Sequence, residues 1–194
     1  MRPLFRLITP VALAGLLAGC VAAIPAVEVT RFHLGQILSP ASFDVEAGAG
    51  ASPQSLEFGA YKAAITRELV QLGYRDGAEN PTYRVGIRFE RTRRDVAASA
   101  PVTIGVGGSS YGGNVGISLG TSFGVGKRRQ TLVATRLFVQ IKRASDSAVL
   151  WEGRAATEAP EAAPAAQPGL AAEKLSRALF QGFPGESGRT IVFK

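Results

Sequence analysis

Strict alternation of apolar and polar residues over two long stretches dictates most of what this chain can fold into. Tyr83, Val85, Ile87 and Phe89 alternate with Arg84, Gly86, Arg88 and Glu90, and Val133, Thr135, Leu137, Val139 and Ile141 repeat the pattern later. Successive strand side chains point to opposite faces, so each stretch is a strand with one buried and one solvated side. Ala144 to Ser147 reads as a tight turn, and Val149 and Trp151 lead a strand that returns from it. Trp151 falls on the inward parity, where it is expected to pack with Leu137, Val139 and the helices. Val27-Glu28-Val29-Thr30 alternates too. Phe32 and Leu34 continue it on shifted parity, which places a bulge near Arg31. Thr190 to Phe193 closes the chain as a short strand, and Phe43 to Val45 is an extended piece within a loop from Ser39 to Ala51.

Elsewhere the period lengthens to that of a helix. Ser52-Pro53 is a helix start, a capping hydroxyl followed by proline at the first helical position. Leu56, Tyr61, Ile65, Leu69 and Leu72 then recur along one face. Gly73 ends this helix in a left-handed conformation, and Tyr74 folds back onto the last turn. Turn residues run from Asp76 to Pro81. Leu170 to Gln181 is a second helix, with Leu175, Ala178 and Leu179 on one side and Gly182 and Pro184 stopping it. Ala155 to Pro168 reads as an Ala/Pro/Glu linker. These elements make an α+β domain of two layers, a mainly antiparallel sheet with two helices. A single domain is expected over 20–194, with a glycine-rich hairpin or loop insertion at about 99–128.

The first nineteen residues do not belong to that domain. Arg2 and Arg6 precede an apolar run from Leu7 to Leu17, far short of the ~20 residues of a spanning helix. Basic, apolar and small regions in this order form a secretory signal peptide, 1–19. Leu17-Ala18-Gly19-Cys20 resembles the lipobox of bacterial lipoproteins. The resemblance implies diacylglycerol on the Cys20 sulfur, cleavage before Cys20 and acylation of the new amino group. Cys20 is the only cysteine, so lipidation leaves no thiol for a disulfide, a metal or catalysis. Val21 stands where an aspartate would resemble the inner-membrane retention signal, so the expected destination is the outer membrane, facing the periplasm.

The helix ending Leu72-Gly73-Tyr74 and the strand Val149-Leu150-Trp151-Glu152-Gly153 carry a wider likeness. So do the glycine-rich tract before Thr131 and the run from Leu179-Phe180 to Phe183-Pro184. The mature chain resembles proteobacterial lipoproteins with a domain of unknown function, family 4136. The resemblance implies a mainly antiparallel sheet covered by helices. It carries no known activity and hence no catalytic residues.

A search for chemistry supports a non-enzymatic role. Gly120 to Lys127 has one residue too many for a phosphate loop, and Arg128 replaces the magnesium-binding hydroxyl. Gly105-Val106-Gly107 has Ser110 in the third-glycine position and no parallel unit around it. His33 is the only histidine, read as a plain strand residue, and zinc ligands are lacking by count. Glu90 and Glu152 could approach across the sheet, although solvent-facing strand charges are the commoner case. No cofactor or metal is expected. The formal charge of +7 falls to +5 without Arg2 and Arg6. The plainest reading of that charge is a solvated basic surface. For an exported protein a counter-charge would be anionic lipid or cell-wall polymer, and nucleic acid is not an expected partner.

Nine of the 23 glycines lie between Gly105 and Gly126. If the Tyr83 and Val133 strands pair as a hairpin turning near Ser110, Arg94 falls opposite Lys127. Arg91, Arg93, Arg94, Lys127, Arg128 and Arg129 then form a basic collar, the candidate contact with an anionic surface. Beyond it, apolar residues alternate with glycine on two arms long enough to cross a bilayer. Glycine weakens strands, however, so a glycine-rich loop or a hairpin packed on the domain is the favoured reading. An isolated hairpin leaves its edges unpaired in lipid, so insertion would need a ring of copies. The expected function is a lipid-anchored binding or envelope-assembly module, with another envelope protein among its candidate partners. An oligomerising, membrane-contacting protein and a hydrolase with an unrecognised site are the alternatives.

Overall fold

The computed structural model describes residues 25–36, 38–97, 104–106, 119–121 and 129–194. The strands are β1 (Val27–His33), β2 (Ser42–Ala47), β3 (Arg75–Asp76), β4 (Tyr83–Ala97), β5 (Ile104–Val106), β6 (Leu119–Thr121), β7 (Arg129–Arg143), β8 (Val149–Pro160) and β9 (Thr190–Phe193). The helices are α1 (Leu56–Gln71) and α2 (Pro168–Phe180). Seven strands form one sheet in the order β3-β2-β4-β7-β8-β1-β9, and β5 pairs with β6 apart from it. β2 runs parallel to β3 and β4, and the remaining pairings are antiparallel. The fold is α+β as the alternation requires, with one parallel corner made where α1 carries the chain over.

Both helices pack on one face of the sheet and on each other. That face buries Val27 and Val29 of β1, Phe43 and Val45 of β2, and Val85 and Ile87 of β4. Leu137, Val139 and Ile141 of β7 and Trp151 of β8 complete it. Each large side chain taken from water stabilises the fold by about 1.5–3 kcal/mol. Trp151 stacks at 5.5 Å from the Phe180 ring and lies 5.2 Å from Phe183. Gly153 sits beneath it, where an added Cβ would lie 2.3 Å from the indole.

The end of α1 follows the expected chemistry. Tyr74 N–H reaches Leu69 O at 3.0 Å and Gly73 N–H reaches Val70 O at 3.0 Å, with Gly73 at φ 90°, a Schellman closure. Its start differs. Ser55, not Ser52, is the cap, its hydroxyl accepting from Phe58 N–H at 3.0 Å. Leu56 is accordingly exposed, and the apolar stripe begins at Phe58. The hydroxyl three residues before the first buried side chain caps the helix.

Ala155 to Pro160 is strand, not linker. β8 pairs with β7 as far as Leu132 opposite Pro160, and with β1 as far as Val27 opposite Thr157. Ala155, Thr157 and Ala159 are buried. Alanine disfavours strands in isolation, but small side chains let the following segment and α2 lie close. A short 3-10 turn, Pro164–Ala166, then leads into α2. The segment Ser39 to Ala51 likewise holds all of β2, and Arg75–Asp76 adds to the sheet edge.

No bulge occurs at Arg31. β1 keeps one register with β8 from Val27 opposite Thr157 to His33 opposite Trp151. Phe32 and Leu34 are exposed, and Arg31 takes the inward position, 3% exposed. Its Nε donates to Leu179 O at 2.9 Å, and Nη2 donates to Ala178 O at 3.0 Å and Gln181 O at 2.8 Å. The last carbonyls of a helix lack intrahelical partners and carry partial negative charge. The guanidinium answers both needs of α2. Burial lowers its pKa from the usual arginine value, yet arginine stays charged. Gly185, at φ 80°, packs so closely that a Cβ would lie 2.4 Å from Nη1.

Candidate functional site

The lipobox-like run, Leu17 to Cys20, lies outside the described residues, as do Lys127 and Arg128. The hairpin of β4 and β7 forms, but in another register: Arg94 stands opposite Leu132, and Arg129 opposite Ala97. The arginines of the proposed collar also divide between the two faces, since alternation sends Arg91 and Arg93 toward the helices and Arg94 away. Arg91, Arg93 and Arg94 each meet an acceptor of this chain. Arg91 donates to Ala166 O at 2.6 Å and lies 3.6 Å from Glu57. Arg93 binds Glu161 at 2.7 Å, and Arg94 binds both Glu158 oxygens at 2.7 Å. Exposed pairs of this kind contribute only about 0–1 kcal/mol to stability. They do compensate charge that would otherwise attract an anionic surface.

The sites of sequence-level chemistry are also occupied by structural bonds. His33 Nδ1 accepts from Gly35 N–H at 3.1 Å, and Nε2 donates to Gly185 O at 3.0 Å. Ser187 bonds the His33 backbone, through Oγ to N at 3.0 Å and to O at 2.9 Å, and not the ring. Glu90 pairs with Arg88 at 2.7 Å and Glu152 with Arg154 at 2.9 Å. The two carboxylates lie on opposite sides of β7, facing Arg136 and Gln140 respectively. Among the described residues no cluster of three His, Cys, Asp or Glu side chains could hold a metal. A depression of about 320 Å³ beside His33 is lined by Leu72, Tyr74, Phe183 and Pro184. Tyr74 there donates to Leu38 O at 2.7 Å. Burial, with Tyr83 second, pushes its pKa up to about 12.

The face of the sheet turned away from the helices is chemically richer. Arg88 lies 4.1 Å above the Phe138 ring, and Arg154 lies 5.4 Å from the Phe32 ring. Such stacks are worth about 0.5–1 kcal/mol where exposed, and they hold flat guanidinium surfaces outward. Between them a shallow depression of about 400 Å³ is lined by Glu28, Thr30, Glu90, Arg136, Phe138 and Arg154. Thr30 and Thr190 hydroxyls bond at 2.7 Å on its rim, and Gln140 donates to Glu152 at 3.4 Å. Arg84 pairs with Glu46 further along. Cations and carboxylates alternate across this face. Of these residues only Glu90 and Glu152 were considered from sequence, as a carboxylate pair; the available signal for the rest is Phe138, an aromatic on the solvent parity between Arg136 and Gln140.

Among the described residues no helix is long and apolar enough to cross a membrane. The family model described as Domain of unknown function (DUF4136) matches residues 39–185. An uncharacterized protein of Zymomonas mobilis subsp. mobilis is 28% identical, over 87% of this chain and 80% of that one. A PDZ domain protein from Parabacteroides distasonis aligns with a TM-score of 0.52 at 11% identity, over 87% of this chain. The match covers 39% of that protein's chain and shows the fold alone. A minor lipoprotein from Acinetobacter baumannii aligns at a TM-score of 0.39 and 11% identity, over 73% of this chain and 93% of that one. That likeness is too loose to bear on this chain's role.

Proposed function

We propose that this chain, which belongs to the DUF4136 family, is a lipid-anchored envelope protein that binds another envelope protein on the open face of its sheet. The lipobox supports the anchor at Cys20, with Val21 favouring the outer membrane and a periplasmic domain. The observation that carries the binding reading is the Arg88–Phe138 and Arg154–Phe32 face. Arginine and aromatic residues are enriched where proteins meet proteins. Its interleaved signs suit a protein surface better than a uniformly anionic polymer. The role is non-catalytic, consistent with the ring nitrogens of His33 and the carboxylates of Glu90 and Glu152 being engaged in structural bonds.

A photo-reactive residue at Phe138 in intact cells is expected to give one defined adduct, with none from Ala63 on the solvent side of α1. Arg136→Glu should reduce the adduct about tenfold or more, as loss of a central arginine anchor does. Equal adducts at both positions, or an Arg136→Glu variant that crosslinks normally, would refute the docking face.

A second reading, membrane contact by the glycine-rich ribbon, draws on the strand register. β5 and β6 pair with Ile104 opposite Thr121, one position from where the β4–β7 register would continue. The β4–β7 ribbon also runs past the row where Val27 begins β1, so it leaves the sheet at the end where the tether enters. Deleting Val102 to Val125 from the lipidated protein is expected to abolish bilayer leakage if the ribbon acts there. Identical leakage and oligomer size with and without it would reduce the tract to a connection.

A further inference from the structure

The chain enters the domain on the flank where α2 lies beside β9. Lys174 Nζ donates to Pro25 O, and Thr157 Oγ1 donates to Ala26 O at 2.8 Å. These bonds fix the last tether residues to the fold. Lys174, Arg177, Lys194 and the exposed Leu170 line a groove of about 280 Å³ there. Its carboxylate, Glu173, is held 3.3 Å away by Arg67 of α1. Lys174, Arg177 and Lys194 have no ion-pair partner among the described residues.

Tether length places this flank near lipid, given the reading that Cys20 is acylated. From Cys20 to Pro25 is five residue steps, which span at most ~18 Å even fully extended. Lys174 touches Pro25 itself. A domain on so short a leash cannot turn an arbitrary side to the bilayer. We infer that Lys174, Arg177 and Lys194 seat on anionic phospholipid headgroups, with Leu170 entering the interface, so that this flank is the membrane-facing side. The open sheet face then stands clear for a protein partner. Charge attraction at physiological salt fades over about 8 Å, less than the slack of the tether. The patch therefore selects a docked orientation from those the tether permits.

Acylated protein in phosphatidylcholine vesicles, with and without phosphatidylglycerol, tests this directly. Cys20 is the only native cysteine, so Leu170→Cys offers one labelling thiol, and Asn80→Cys serves as a distant control. With a quencher on the lipid headgroups, the Leu170 probe should be quenched only when phosphatidylglycerol is present, and salt should release it. The Asn80 probe should stay bright. Neutralising all three charges (K174Q, R177Q, K194Q) should lower the docked-to-undocked ratio on the order of a hundredfold, at roughly fivefold per cation, and reversing them (K174E, R177E, K194E) should lower it further. The glutamine triple variant and the salt titration keep the test clear of folding defects. Equal quenching of both probes, or quenching indifferent to salt and charge, would overturn the membrane-facing flank. Mass spectrometry of Cys20 separates the two readings. Acyl mass with no Leu170 quenching sinks the patch alone, whereas an unmodified Cys20 sinks the anchor and the patch with it.

Discussion

Replacing Trp151 with alanine is expected to cost the domain about 3–5 kcal/mol, the range for emptying a buried aromatic site. The indole is fully buried, stacked on Phe180 and set against Phe183. Its Nε1–H donates to Pro184 O at 3.0 Å, so truncation also leaves that carbonyl without its bond. The sheet cannot close over the gap, because Gly153 below has no side chain to move into it. A loss of this size consumes much of the 5–15 kcal/mol that holds a typical domain. Trp151→Phe should recover most of the packing and lack only the hydrogen bond, a deficit of about 1 kcal/mol. Urea unfolding followed by circular dichroism reads both variants. A Trp151→Ala midpoint equal to the parent's would mean that the indole does not hold the second helix to the sheet.

The second large effect is expected at Arg31. Alanine there removes three hydrogen bonds from the end of α2 and leaves the Ala178, Leu179 and Gln181 carbonyls without that partner. At about 1–3 kcal/mol for each buried acceptor left unmade, the three together come to about 3–9 kcal/mol. Arg31→Lys should fall between, since an ammonium is a compact charge and cannot span three carbonyls as a planar fork does. Unfolding midpoints at constant slope report the difference as stability alone. An alanine variant within about 1 kcal/mol of the parent would show that other groups satisfy those carbonyls.

The elements that were legible in the chain are those whose signal is local. Leu72-Gly73-Tyr74 announced a helix end because only a left-handed residue followed by a fold-back satisfies the last carbonyls. The β4 and β7 strands were plain from alternation, and the α+β class followed from them. Arg31 was not legible. A charged residue between apolar ones suggests a shift of parity, and its true partners are the carbonyls of a helix 147 to 150 positions away. The alanines of β8 were hidden for a related reason: they are small because a neighbour lies close, and composition alone makes them look like a linker. The hairpin register failed at Arg94, since residues between the two strands set no face and the turn could be placed anywhere among them. The open face was visible only as polar parity. Its Arg–Phe stacks join β4 to β7 and β8 to β1, pairs that no local spacing reveals.

The position of β1 governs how this domain comes together in time. Val27 pairs with Thr157 on one side and with Phe193 on the other, so the earliest strand lies between two of the latest. A chain threaded outward from its amino end exposes Val27 to His33 long before either neighbour exists. The sheet therefore closes only after β8 and β9 have emerged, and contacts this distant in sequence carry a high entropic cost of loop closure. Such long-range pairing slows folding. Until those strands emerge, β1 is an unpaired strand of valine and phenylalanine, open to wrong pairings. Completion of the fold waits on its last strand, after which the edge of the sheet is β9 and β1 is sheltered.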